Sequence, residues 1–168
     1  MSDQGLRKLF QRLHSDLAKD SLVQATLDQL RNNLQVERVV LYYFYCPWQG
    51  QVTFESLKAP EFSLFGSTGP DDSFNGEYAK LYQEGRVRAI ADIETETISE
   101  CHRDFLREIK VRANLAVPVL NPQGLWGLLI AHSCSFPRPW LPPEIEAMVA
   151  GAKTLATCPA IKNSQGFD

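Results

Sequence analysis

A thiol followed directly by an imidazole, Cys101-His102, is the most reactive pair in this sequence. A thiolate is a strong nucleophile, and a neighbouring histidine can take or return the proton during addition to an electrophile. The surrounding residues predict how the pair is held. Thr97-Ile98-Ser99-Glu100 matches a capping box and predicts the start of a helix containing Cys101. Ile98, Phe105, Leu106 and Ile109 define its buried face; Cys101, three residues after Ile98, falls on that side, and His102 lies at its border. The thiol is expected to point inward, with the imidazole reaching the same interior space. Spacing alone leaves two readings open, because a buried cysteine also serves as a small packing residue and a histidine beside it can simply satisfy its own hydrogen bonds. A thiol enzyme of the triad kind fits less well: adjacent helical residues point about 100° apart, and no third residue that would orient the histidine is evident.

Other groups with chemical potential are scattered. Residues 59–75 mix Pro60, Gly66, Gly69 and Pro70 with Phe62, Leu64, Phe65 and Phe74, which reads as a long loop that buries aromatic groups. Loops of this length often carry function. Within it, Asp71 reads as an Asx turn beside Pro70, and Ser73 as a turn hydroxyl beside Phe74. Arg86 and Arg88, two apart near a strand start, suit either an anion clamp or solvated surface charges. Tyr82 and His132 suit either a pocket wall or a core. Cys46, Cys134 and Cys158 show no CxxC or zinc-like spacing, so they are read as structural thiols, neither disulfide frame nor metal site.

The elements that must position these groups follow from periodicity. Leu6, Leu9, Phe10, Leu13 and Leu17 repeat at helical spacing, and Val23, Leu27, Leu30 and Leu34 do so again after Asp20-Ser21. The β-branched and aromatic run 36–45, a turn at Gly50 and the run 51–58 predict a hairpin. A short helix over 76–83, a strand near 88–93 and the Cys101 helix come next. Apolar strands over 115–120 and 125–132 flank the turn Asn121-Pro122-Gln123-Gly124. Pro142-Pro143 then opens a closing helix with Ile145, Met148, Val149, Ala152, Leu155 and Ala156 on one face. The order predicts an α/β (α+β) domain with a mostly antiparallel sheet flanked by helices. The stripes of the first and last helices suit packing on the sheet or against a partner, so a homodimer through the terminal helices is a second expectation.

Composition narrows the function classes. The 168 residues, 44% of them hydrophobic, suit one domain with a substantial core. A formal charge of -3, from 17 basic and 20 acidic residues spread along the chain, offers no footprint for nucleic acid or anionic membrane. The polar segment 1–8 lacks the apolar centre of a signal peptide, and no apolar run is long enough to cross a bilayer, so a cytoplasmic location is expected.

Several long motifs, in order, resemble the GAF domains of cyanobacteriochromes, light sensors of the phytochrome superfamily. They are Cys101-His102-Arg103-Asp104-Phe105-Leu106, the run Val111 to Val119, Leu125-Trp126-Gly127-Leu128-Leu129-Ile130-Ala131-His132, and Cys134 to Trp140. Arg38-Val39-Val40-Leu41-Tyr42 and the run Gly85 to Ile93 are similar too, so the resemblance spans about 22–155. It implies a GAF fold with a five- or six-stranded sheet across a single domain, 1–168. It also implies phycocyanobilin or phycoviolobilin joined through a thioether at Cys101, with His102 packed against this linear tetrapyrrole (bilin). Asp71-Asp72-Ser73-Phe74 is similar to the Asp-x-Cys-Phe motif of one branch, with serine in place of its second cysteine. On that alignment Asp71 accepts hydrogen bonds from pyrrole nitrogens, Arg86 is the preferred partner of a propionate, and Tyr82, Ser73, Phe74 and His132 line the pocket. The implied role is photoreception by Z/E isomerisation at C15=C16, signalling to an output domain not present in this sequence, with no enzymatic activity beyond pigment attachment. The alternative is a GAF domain without pigment that binds a small ligand such as a cyclic nucleotide, or one that serves only in dimerisation.

Ser73 carries the most specific expectation. The cysteine of the Asp-x-Cys-Phe motif adds reversibly to the central methine bridge of the bilin and shortens its conjugation. A serine hydroxyl is a far weaker nucleophile near neutral pH. Both photostates should therefore absorb at long wavelength, and Ser73→Cys should create a blue- or violet-absorbing state in the pigment-loaded protein. Unshifted absorption spectra of both photostates in that variant would show that Ser73 does not face the methine bridge.

Overall fold

The run Arg38–Cys46 is apolar at nearly every position, as a strand must be when both faces of its sheet are covered. In the computed structural model, which describes residues 3–46, 49–68 and 76–164, this run is β1, and it pairs with β2 (Gln49–Leu57) and β5 (Gly124–Ser133). With β3 (Arg88–Ile90) and β4 (Ala113–Asn121) they form a five-stranded sheet in the order β2-β1-β5-β4-β3, each adjacent pair antiparallel. The fold is α+β, as expected.

Strand periodicity divides the side chains between two layers. Val39, Leu41 and Tyr43 of β1, with Leu115, Val117 and Val119 of β4, enter the main core. Over them pack three helices, α1 (Asp3–Lys19), α2 (Ser21–Leu34) and α5 (Pro142–Leu155). Leu13 and Leu17 of the first helix and Met148, Ala152 and Leu155 of the closing helix are buried there. The expected apolar stripes of the terminal helices thus pack on the sheet. Each such leucine, fully buried, contributes roughly 1.5–3 kcal/mol.

The opposite face carries Val40, Tyr42 and Phe44 of β1 with Leu128 of β5. It is covered at one end by α3 (Gly76–Gln83), through the buried Tyr82, and at the other by α4 (Glu100–Glu108), whose Leu106 packs with Ile90, Ile93 and Val111.

Local chemistry sets the connections. Asp20 caps α2, its carboxylate accepting from the Leu22 amide at 2.9 Å. In the β4–β5 turn, Asn121 Oδ1 accepts from the Gln123 amide at 2.9 Å and Gly124 takes φ +123°. Trp140 buries its ring and donates from Nε1 to the Ile90 carbonyl at 3.1 Å. After the closing helix the chain adds a short helix, α6 (Pro159–Lys162), that periodicity did not announce because four residues hold barely one turn.

Two expectations are corrected. The capping box predicted a helix beginning near Thr97, but the cap is Ser99, whose hydroxyl accepts from the His102 amide at 3.1 Å, so the helix starts at Glu100. The loop after β2 was expected to bury its aromatic groups. It instead makes a short 3₁₀ turn at Pro60–Phe62, leaves Phe62 and Leu64 half-buried, and leaves Phe65 52% exposed against His14 of α1. Its ordering comes from backbone bonds to the edge strand, Val52 N to Ser67 O at 3.0 Å and Gly66 N to Val52 O at 3.1 Å, which do not require the rings to be buried.

A register shift between Val119 and Leu120 lets Leu125 and Leu128 face the second layer while Trp126 turns into the main core, 5.1 Å from the Tyr43 ring. Gly127 is needed at this irregularity, since a Cβ there would stand 2.0 Å from the Tyr42 carbonyl oxygen. Backbone on a paired neighbouring strand cannot move aside cheaply. Gly127→Ala should therefore destabilise the domain by about 2 kcal/mol or more, seen as a lower urea midpoint at unchanged slope.

Candidate functional site

Between the second sheet face and α4 lies an open cavity of about 450 Å³, in the size range of small-molecule sites. The sheet supplies its floor through alternate residues: Val40 and Tyr42 from β1, Asn114 and Ala116 from β4, Ile130 and His132 from β5. The segment Thr97–Ser99, the α4 residues Cys101, His102 and Phe105 and the C-cap residue Ile109 form one wall, with Tyr82, Leu64, Ser67 and Thr68 at the other end. Arg88 and Ile90 of β3 close the side.

A set of arginines holds the α4 wall in place. Arg103 donates from Nε to the Ile93 carbonyl at 2.9 Å and from Nη2 to the Glu96 carbonyl at 2.7 Å. Arg107 pairs with Glu94 at 2.9 Å, and Arg112 with Asp92 at 2.8 Å. These bonds tie the segment before the helix to the helix itself, so Thr97, Ile98 and Ser99 reach the cavity from a braced backbone.

The Ser99 cap makes Cys101 the second helical residue. Its thiol is exposed at the cavity rim, rather than pointing into a packed interior as the helical pattern had predicted. The difference is physical: with the cap at Ser99, Ile98 stands outside the helix and does not mark its buried face, and Cys101, five positions before the buried Leu106, is turned about 140° from it around the axis. His102, half-buried, lines the same cavity, so the thiol and imidazole do share one space. Burial, and then the nearby Arg88 cation, hold the His102 imidazole below its ordinary range, which keeps it neutral and able to move a proton.

Of the two candidate arginines, Arg88 lines the cavity and Arg86 stands outside its lining, half-buried. β3 begins only at Arg88, so Arg88 and Ile90 share the strand face that looks into the cavity, while Arg86 lies in the turn before it, its amide donating to the Leu81 carbonyl at 3.0 Å. Arg88 Nη2 lies 4.0 Å from Glu96, with the Arg88 side chain 26% exposed. Tyr82 and His132 are both buried and both line the cavity. Asp71, Ser73 and Phe74 lie outside the described residues. Cys134, half-buried, and Cys158, buried, stand apart from the cavity lining, and Cys46 ends β1. Burial pushes the Cys158 thiol up to about 11, as expected of a structural thiol. No group of three or more metal-binding side chains occurs among the described residues.

Two groups were not singled out from the sequence, Asn114 on the cavity floor and Arg38, which bonds the cavity-lining His132 from behind. Asn114 belongs to the alternating pattern of β4, where it shares the floor with Ala116. Arg38 opens β1 and is 1% exposed, donating from Nε to His132 Nδ1 at 2.9 Å. Its signal was present: a charge in register with Val40 and Tyr42 on a strand apolar on both faces.

A three-layer α+β domain with a ligand-sized cavity on its second sheet face and a thiol at the rim is the class this arrangement defines. The model of the GAF domain family matches residues 19–158, and the chain belongs to that family. It is 49% identical over 156 residues to an uncharacterized protein of Picosynechococcus sp., covering 93% of this chain and 96% of that one. It is 30% identical over 162 residues to the circadian input-output histidine kinase CikA of Synechocystis sp., covering 83% of this chain but only 22% of the kinase. Among solved structures it is similar to the PixJ GAF domain of Thermosynechococcus elongatus in its blue-light-absorbing form, with 36% identity, a TM-score of 0.68, and coverage of 79% of this chain and 84% of that one. It is also similar to the phycocyanobilin-bound GAF domain of a cyanobacterial phytochrome, with 26% identity, a TM-score of 0.74 and 94% of each chain covered.

The Arg88–His102 relation is testable directly. Because folded His102 binds its proton less readily than the unfolded chain, acidification below about pH 6.5 should cost stability through this residue. Arg88→Met removes the neighbouring cation and leaves the burial, so the His102 titration followed by NMR should move upward while staying below that of a free histidine. An unmoved titration would show that Arg88 does not act on His102.

Proposed function

We propose that this domain is the sensory module of a photoreceptor, holding a linear tetrapyrrole covalently at Cys101. The observation that carries the reading is the cavity itself: apolar over most of its lining, with a thiol at its rim, a neutral imidazole beside that thiol and a cation at its side. Similarity to bilin-bound GAF domains supports it. A bound bilin supplies absorption of visible light and Z/E isomerisation at its C15=C16 bond.

The residues divide the work. Cys101 Sγ forms the bond to the ring A side chain, and its proton passes to the pigment with His102 as the neighbouring carrier. Arg88, rather than Arg86, faces a propionate carboxylate. Tyr82, His132 and Asn114 border the ring system. Asp71 accepts from the pyrrole N–H groups, and Ser73 stands where the Asp-x-Cys-Phe branch has its second thiol. Phycocyanobilin or phycoviolobilin is the pigment, and Phe74 packs beside it.

The change at the pigment biases α4 and the segment it braces, and through the sheet the helices of the first layer, toward a second state read by an output partner. The domain has no enzymatic activity beyond pigment attachment. It works in the cytoplasm, and its terminal helices join two copies. No helix among the described residues is long and apolar enough to cross a membrane.

Purification from cells making phycocyanobilin tests the reading. The wild-type protein should be coloured and keep its colour after acid denaturation. Cys101→Ala should lose acid-stable colour while its unfolding free energy stays within about 0.5 kcal/mol, since the thiol is exposed and fills no core. A colourless wild-type protein would favour the alternative GAF role, in which the cavity takes a small ligand without pigment.

A further inference from the structure

Arg38 presents an energetic problem. It is 1% exposed, and no other lysine or arginine is so buried among the described residues. Its guanidinium donates to no carboxylate there. Nε donates to His132 Nδ1 at 2.9 Å, Nη1 to the Phe62 carbonyl at 3.1 Å, and Nη2 to the Ile109 carbonyl. A buried cation held by neutral acceptors alone is costly, and burial lowers its proton affinity, although an arginine stays charged. Its acceptors come from β5, the 3₁₀ turn and the C-cap of α4, and two of them, His132 and Ile109, line the cavity. The C-terminal carbonyl of a helix is a favourable place for a cation.

The chemistry of the first bond is one-sided. Arginine nitrogens only donate, so His132 Nδ1 must supply the lone pair. A neutral imidazole with its lone pair at Nδ1 carries its proton on Nε2. That Nε2 has no partner among the described residues, and His132 faces the cavity. A second proton on the ring would have to displace the Arg38 bond and place two cations side by side in a buried site.

We propose that Arg38 is a positioning residue that locks His132 as the neutral Nε2–H tautomer, so that the cavity wall presents a hydrogen-bond donor, never an acceptor, at this point. The matching ligand atom is an acceptor oxygen, a carbonyl or carboxylate, and an N–H group is turned away. The lock stands on the protein alone; its effect on a bound pigment rests on the photoreceptor reading. The other ionisable groups whose charge reaches Arg38 are Cys134, Glu55 and Glu37, while His102 and Arg88 share the cavity with His132.

The test uses the full chain without pigment first. Nitrogen NMR of isotope-labelled wild type should show the His132 proton on Nε2, a coupling across the hydrogen bond from Arg38 Nε to His132 Nδ1, and a ring that stays neutral at pH values where a free histidine is already protonated. Arg38→Gln should abolish the coupling and move the His132 titration up by roughly one pH unit or more, and Arg38→Lys, which keeps a charged donor, should hold it down. In pigment-loaded protein, Arg38→Gln should make the absorption spectrum pH-dependent across the same range, and Arg38→Lys should not. A wild-type proton on Nδ1, or an unchanged titration in Arg38→Gln, overturns the proposal. If Arg38→Gln fails to fold, the wild-type tautomer and coupling decide alone. Failure to bind pigment would count against the photoreceptor reading and leave the NMR result on Arg38 intact.

Discussion

A sheet that is apolar on both faces must be covered on both, because uncovered apolar strand surface loses the burial that offsets the entropy of ordering the chain. Here the two coverings are unequal. Three helices cover one side, where their leucines and Val23 pack with Trp126 of β5, leaving the central strands without exposed surface. On the other side a short helix at each end bridges the face without filling it, and the space left between them is the cavity. The site is thus a consequence of incomplete coverage, held open by a rigid floor.

Keeping that space open needs a wall that does not collapse onto the sheet. Arg103, Arg107 and Arg112 brace the α4 wall from outside through carbonyls and carboxylates of the preceding segment. Exposed ion pairs of this kind contribute little individually, but the two Arg103 bonds to backbone carbonyls are part-buried and specify where the segment runs. From beneath, Arg38 ties the C-cap of the same helix to β1. The wall is held at both ends by arginines that bond backbone carbonyls and side chains other than the thiol, which positions the rim thiol without consuming it.

The electrostatic character of the site follows from the same residues. Arg38 and Arg88 both carry positive charge close to a histidine, and with burial they keep His132 and His102 neutral. A cavity with neutral imidazoles, a side cation and an accessible thiol suits an apolar ligand that brings its own carboxylates. Nearer the floor, His132 and Asn114 lie opposite each other on paired strands, so polar contact with a ligand is concentrated along one line of the sheet.

Much of this was legible in the sequence. Apolar periodicity located the two opening helices, both hairpins and the closing helix, because those patterns depend on which face of an element is buried and that is a local property of spacing. The motif Cys101-His102 and the cavity positions of Tyr82 and His132 were likewise readable. What local pattern could not decide was which of two competing neighbours wins. Ser99 rather than Thr97 caps α4, so Ile98 stands outside the helix and does not mark its buried face, and the thiol lies at the rim instead of in the core. Arg88 rather than Arg86 enters the cavity because β3 pairs with β4 only from Arg88 onward, which leaves Arg86 in the preceding turn. Arg38 meets His132 across 94 positions of chain, a contact created only when β1 and β5 pair in register. Spacing along the chain determined which elements form and which faces they bury; pairing between distant strands decided which polar groups meet, because strand register is a tertiary quantity and a slip of one residue turns every side chain to the opposite face.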